Sequence, residues 1–339
     1  MARRGGWKRL GSQRRGFRYE DSRGRVITDD TALRRIDSLR IPPAWKDVWI
    51  SPRPNAKLQA TGVDKAGRRQ YLYHPEFRAR QEQAKFDKLI QFAERLPALR
   101  QAMDEHLDRE PLTFEWTAAV AVRLINEGWF RVGDERYARS YKTFGITTLR
   151  KSHVHVRGSR ITFRFRAKHR ILCRTTLVDA ELATAMKELL ALPGGRTLFR
   201  YRREDEIYNL GSRRLNEYIR EHMGADFTAK DFRTWGGTLV AAIELAEAEP
   251  AESATAQKRV VAGVMRKVGE RLGNTAAVAR ASYVSPAVVE QYLDGRTIDD
   301  FRPRHLRVVT ARNSQLDPEE QALLSLLRSW RIRRAREAA

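Results

Sequence analysis

A single cysteine, Cys173, stands in 339 residues. The chain can therefore form no internal disulfide and has no thiolate-rich metal site, in keeping with a reducing compartment. Long apolar runs are missing too. No stretch approaches the roughly 18 residues of a spanning helix, and the basic start MARRGGWKRL is not followed by the apolar segment of a secretory signal. The expectation is a cytoplasmic protein with no membrane partner. Histidine is sparse, 7 residues without ligand spacing, so no metal is expected. The largest deficit is in acidic residues: 42 Asp and Glu face 65 Lys and Arg, a net charge of +23. Nucleic acid is the polyanion to which such a balance points. Basic ends, MARRGGWKRLGSQRRG and RSWRIRRAREAA, account for part of the charge. Arginines also recur through the interior, as a binding surface built by the whole fold requires.

What is present suffices for a folded protein, since 42% of residues are apolar. The length exceeds what one hydrophobic core usually serves, so two domains are expected. Residues 1–16, rich in Arg and Gly, read as a disordered basic arm. Residues 17–80 show short β-like runs with turn punctuation, in YEDSRGRVI, IPPAWKDVWIS and DKAGRRQYLY, and predict a small β-rich domain. After Pro75 the period changes. Phe86, Leu89, Ile90, Ala93 and Leu96 share one helical face, predicting a helix that Pro97 stops, and 81–339 form the larger domain. Within it a helix ends at Gly128, with Arg131 just beyond. Alternation around Arg157–Ser159 and Ala167–His169 predicts a small antiparallel sheet with Lys168 at a hairpin tip. Helices follow: GSRRLNEYIREHM, then TAKDFRTWGGTLVAAIELA with a capping box from Thr228 to Asp231, then a surface loop over 247–257, KRVVAGVMRKVGERL and a short helix capped by Asn274-Thr275. The class is α+β, the larger domain mainly α-helical.

Four residues carry candidate chemistry if the substrate is a phosphodiester. Charge builds on non-bridging oxygens during displacement, and the arginine fork offers two donors toward them. Arg131 leaves its helix between Phe130 and Val132, so that its stem lies on apolar surface. Arg233 lies near the start of a helix, where free backbone N–H groups already favour an anion. A lysine at a hairpin tip, Lys168, can be carried into a groove and protonate a leaving alkoxide. Tyr283, in TAAVARASYVSP, is followed at once by the helix-start pair Ser285-Pro286. Desolvation and nearby guanidinium groups can turn its phenol into a nucleophile that joins protein to nucleic acid.

Together these segments resemble the catalytic region of type IB DNA topoisomerases of the compact poxvirus-like and bacterial kind. That family carries an arginine after a helix, a lysine on a β-hairpin, an arginine in a KDxRTxG segment, a histidine or asparagine some nine residues before the end, and then the tyrosine. Here the order is Arg131, Lys168, Arg233 within KDFRTWG, Asn274 and Tyr283. The likeness runs from about Phe17 to slightly beyond the tyrosine. GRRQYLY resembles a duplex-contacting segment of the family, which implies DNA contacts at Gln70, Tyr71 and Tyr73, and Tyr137 matches a further contact position. Two features depart from the common pattern. Asn274 stands where many members have histidine, which limits it to hydrogen bonding. The lysine turn reads AKH, without the glycine that many relatives have before the lysine.

The resemblance implies a monomeric two-lobed clamp around duplex DNA, at the bacterial nucleoid. It relaxes supercoils through a 3′-phosphotyrosyl intermediate, with no cofactor and without ATP or metal. The rivals are a tyrosine site-specific recombinase or integrase and a non-catalytic basic DNA-binding protein. The recombinase lobe usually has histidine three residues before the second arginine, where this chain has Lys230.

Overall fold

The computed structural model describes residues 5–249, 251–302 and 315–337, and the chain divides into two compact units, Met1–Lys85 and Phe86–Ala339. In the first, strands β1 (Trp7–Ser12), β2 (Gly16–Glu20), β3 (Lys46–Ile50), β4 (Leu58–Val63) and β5 (Arg69–Tyr73) form an antiparallel sheet in the order β2-β1-β3-β4-β5. A small core of Ile36, Val48, Ile50 and Ala60 supports it.

Two sequence expectations change here. Residues 7–12, placed in a disordered arm, form β1, which lies between β2 and β3. Trp7 packs against the core, and Arg9 lies over Phe17 while donating to the Trp45 carbonyl at 2.7 Å. Residues 1–4 of that arm lie outside the described residues. The second change is helix α1 (Asp30–Ser38), inside a segment read as β-like. Asp29 caps it, accepting from Ala32 N at 2.7 Å, and only Ile36 is buried. One apolar contact is too little for the periodicity to register.

Helix α2 (Pro75–Leu107) runs through Pro97 rather than stopping there. A proline inside a helix costs about 3 kcal/mol, but Leu96, Leu99 and Met103 around it are all buried in the core of the second unit, and their burial offsets the lost backbone bond. Helices α3 (Phe114–Gly128) and α4 (Glu135–Tyr141) come next, then a sheet of β6 (Val154–Arg157), β7 (Arg160–Arg166) and β8 (Leu172–Val178) in that order. Helix α5 (Ala180–Ala191) and the hairpin β9 (Arg200–Arg203)–β10 (Glu206–Asn209) lead to α6 (Ser212–Met223), α7 (Ala229–Ala246), α8 (Ala254–Leu272), α9 (Ala276–Ser282) and α10 (Pro286–Leu293).

The basic C-terminal end is not a tail up to Glu337. It completes α11 (Pro318–Glu337), whose Leu323, Leu327 and Trp330 are buried. The fold is α+β: a small β-rich unit and a larger, mainly helical one with a small antiparallel sheet.

Candidate active site

Helix α7 organises the site. Its first turn is closed by Asp231, which accepts from Thr228 N at 2.8 Å and pairs with Lys88 at 3.0 Å. Two residues on, Arg233 is only 5% exposed. Its guanidinium donates through Nη1 to the Trp129 carbonyl and through Nη2 to the Leu272 carbonyl at 2.7 Å, while Nε is buried without a partner. Burial, then the charge of Arg131, lowers the Arg233 pKa to about 10, so it stays cationic at neutral pH.

Arg131 emerges after α3 because Trp129, not a glycine, takes the left-handed turn at φ 49°. Gly128 serves another purpose: a Cβ there would collide with the Phe130 ring. The Arg131 carbonyl accepts from Ile146 N at 2.8 Å, and Gly145 permits that approach, since its Cβ would stand 2.5 Å from the same oxygen. The Arg131 side chain crosses to the loop after α8, donating from Nη2 to Gly273 O at 3.1 Å and to Asn274 Oδ1 at 2.7 Å. The asparagine thus holds an arginine, and its own Nδ2 points to Leu272 O at 3.3 Å.

Tyr283 ends α9 and is half-buried. The Arg233 guanidinium carbon lies over its ring, 5.0 Å from the centroid. Burial pushes the phenol pKa up, but the Arg233 charge and polar contact, then Arg131 and Lys168, outweigh it, and the net shift is downward. All three candidate cations therefore act on this one phenol.

Lys168 stands exposed at the β7–β8 turn, where Ala167 N donates to Ile171 O at 2.8 Å. The turn needs no glycine before the lysine. Ala167 has an ordinary φ of −86°, and the positive φ values fall at His169 and Arg170.

Arg131, Arg233, Asn274 and Tyr283, and the charge of Lys168, thus converge from five separate segments. Arg131 and Arg233 also line a cavity of about 550 Å³ together with Trp129, Phe130, Cys173 and Gly273. Among the described residues no group of three or more His, Cys, Asp or Glu is placed to hold a metal ion.

The expected DNA-contact residues are on other elements. On β5, Tyr71 and Tyr73 are exposed and their rings stack at 6.3 Å. Gln70 is held by its Nε2 on Asp64 Oδ2 at 2.8 Å. Tyr137, on α4, is 39% exposed and lies against Tyr141 with ring centroids 5.7 Å apart.

Sequence reasoning passed over the residues that hold the cluster together. Trp129 supplies the carbonyl for Arg233, and its indole occupies the place a Gly236 Cβ would take. The only trace in the sequence was the Gly236-Gly237 pair inside a helix, which propensity alone disfavours.

Known proteins of one kind match this chain. Residues 74–299 match the family model for the catalytic core of eukaryotic DNA topoisomerase I, and residues 16–64 that for the N-terminal domain of bacterial DNA topoisomerase IB. The chain is 35% identical to DNA topoisomerase 1B of Acanthamoeba polyphaga mimivirus over 285 residues, 81% of this chain and 84% of the relative. It is 20% identical to DNA topoisomerase 1B of Vaccinia virus (strain Copenhagen) over 281 residues, 81% and 86% of the two chains.

Proposed function

Because the chain belongs to the type IB DNA topoisomerase family, isomerases that act on DNA, we propose that it relaxes supercoiled duplex DNA by breaking and rejoining one strand through Tyr283. The phenol oxygen attacks a backbone phosphorus, losing its proton. The bond to the 5′ oxygen breaks, that oxygen takes a proton from Lys168, and a 3′-phosphotyrosyl link remains. Arg131 and Arg233 hold the non-bridging oxygens as charge builds on them, the role a metal ion plays elsewhere, and Asn274 keeps Arg131 turned toward them. Rejoining is the same step reversed. The phosphodiester energy is kept in the phosphotyrosine, so neither ATP nor a divalent ion enters.

The observation that carries this reading is the meeting of arginines at a half-buried tyrosine: Arg233 lies 5.0 Å from the Tyr283 ring centroid, Arg131 is tied to Asn274 at 2.7 Å, and the net shift of the phenol pKa is downward. Burial alone would raise it, so the site works against the ordinary cost of making a phenolate. Gln70, Tyr71, Tyr73 and Tyr137 serve as duplex contacts, the exposed rings of the three tyrosines being suited to nucleic acid. All catalytic groups come from one chain, which fits a monomer acting on DNA in the cytoplasm. No helix of the described residues is long and apolar enough to cross a membrane.

The test is relaxation of supercoiled plasmid in EDTA without ATP, with detergent-trapped covalent complex mapped to its residue. Tyr283→Phe abolishes both while DNA binding persists. Full relaxation by that variant overturns the nucleophile assignment, and strand exchange confined to paired sites points to a recombinase instead.

A further inference from the structure

Thr238 is completely buried, and its hydroxyl makes three polar contacts. Oγ1 lies 2.8 Å from the Thr234 carbonyl, one turn back in α7, and 3.1 Å from the Tyr283 carbonyl; it also accepts from Ser285 N at 3.1 Å. A threonine inside a helix commonly bonds only to the preceding turn. This one shares its proton with a second carbonyl and accepts a backbone N–H two residues further along the same outside segment. The residue before it, Gly237, clears the way: a Cβ there would stand 2.8 Å from Tyr283 O and 3.0 Å from Tyr283 Cβ.

The segment so held joins two short helices. Tyr283 ends the 7-residue helix α9, and Ser285 caps the 8-residue helix α10. Helices this short are marginal on their own. Arg233 sits on the same α7 as Thr238, so α7 works as a ruler with Arg233 at one mark and the Tyr283 backbone at another.

We propose that Thr238 is a positioning residue for the nucleophile, fixing the Tyr283 backbone relative to Arg233 so that the phenol oxygen meets the phosphorus in line. The proposal rests on Tyr283 being the nucleophile. Thr238 touches neither substrate nor phenol in this scheme and carries no proton. Its effect is geometric, and a displacement of about 1 Å in a reacting group can cost on the order of 100-fold in rate.

The experiment is single-turnover cleavage of a duplex oligonucleotide at saturating enzyme, for the unaltered protein and for Thr238→Val, which keeps the shape and removes the hydroxyl. DNA affinity is measured separately, with each protein also carrying Tyr283→Phe. Cleavage is expected to slow roughly 10- to 100-fold, with affinity unchanged. Thr238→Ser should restore most of the rate, and replacing the leaving 5′ oxygen with sulfur should not.

Cleavage by Thr238→Val at the unaltered rate overturns the proposal. So does rescue by sulfur, which would place the defect in leaving-group departure. Should the valine variant fail to fold, Thr238→Ala against Thr238→Ser gives the same comparison. If the unaltered protein forms no covalent complex at Tyr283, the nucleophile assignment itself fails, whatever Thr238 does.

Discussion

Asn274 Oδ1 lies 2.7 Å from Arg131 Nη2, joining residues 143 positions apart. A guanidinium has no acceptor, so the amide must present its oxygen there. Removing it in Asn274→Ala leaves Arg131 with only the Gly273 carbonyl. A hydrogen bond to a charged group is worth about 1.5–3 kcal/mol, so cleavage should slow by roughly 10- to 100-fold in single-turnover assays. Asn274→Asp should be worse, because a carboxylate both neutralises Arg131 and repels the phosphate.

The downward shift of Tyr283 has a measurable pH signature. Attack needs the phenolate, so the cleavage rate should rise with pH and level off below the ordinary phenol value of 10.0. Arg233→Ala removes the strongest of the lowering charges and should move that limb to higher pH as well as lowering the plateau. The stability linked to this ionisation is fully present above the ordinary value and is lost as pH falls through the folded one. Melting at neutral pH should therefore not report it.

Gly237→Ala tests the contact between α7 and the tyrosine segment. In a helix interior alanine is normally better than glycine by up to about 1 kcal/mol. Here the added methyl would meet Tyr283 O at 2.8 Å. The backbone of Tyr283 must move, so relaxation should fall at least tenfold while circular dichroism still shows a folded protein.

Glu320 governs stability more than chemistry. It is 3% exposed, its two oxygens each accept from Arg100 at 2.8 Å, and Oε1 also accepts from Trp235 Nε1 at 3.1 Å. Glu320→Ala strands a largely buried Arg100, at a cost of about 3–5 kcal/mol. For a unit of this size the melting temperature should drop by roughly 10 °C.

Lys168 as the proton donor predicts a selective rescue. Lys168→Ala should slow cleavage of an ordinary duplex by about 100-fold or more. With sulfur in place of the leaving 5′ oxygen the loss should largely vanish, since a thiolate departs without protonation. An equal loss on both substrates would remove Lys168 from that role.

The parts legible in the sequence were those coded locally. The alternation of VHVR, RITFRFR and LCRTTLV set the three-stranded sheet, and the lysine fell at its turn because only residues 167–171 separate the last two strands. The capping box at Thr228 and Asp231 marked where α7 begins. Local coding misled where packing prevailed. Pro97 stays inside α2 because the core residues beside it outweigh its missing bond, and the basic stretch 7–12 becomes a strand because Trp7 finds a core.

From residue order and chemistry came the α+β class, the basic charge balance, and Arg131, Lys168, Arg233 and Tyr283 as candidates; the family resemblance added Asn274 and joined the five into a group. Distances between them belong to the tertiary structure. Arg233 is aimed by two carbonyls, of Trp129 and Leu272, and Tyr283 is seated against Gly237 and Thr238. Backbone carbonyls carry no side-chain identity, and a close approach of two segments leaves only a small residue as its mark. Such contacts take their meaning from the folded chain, where groups more than a hundred positions apart meet within a few ångströms.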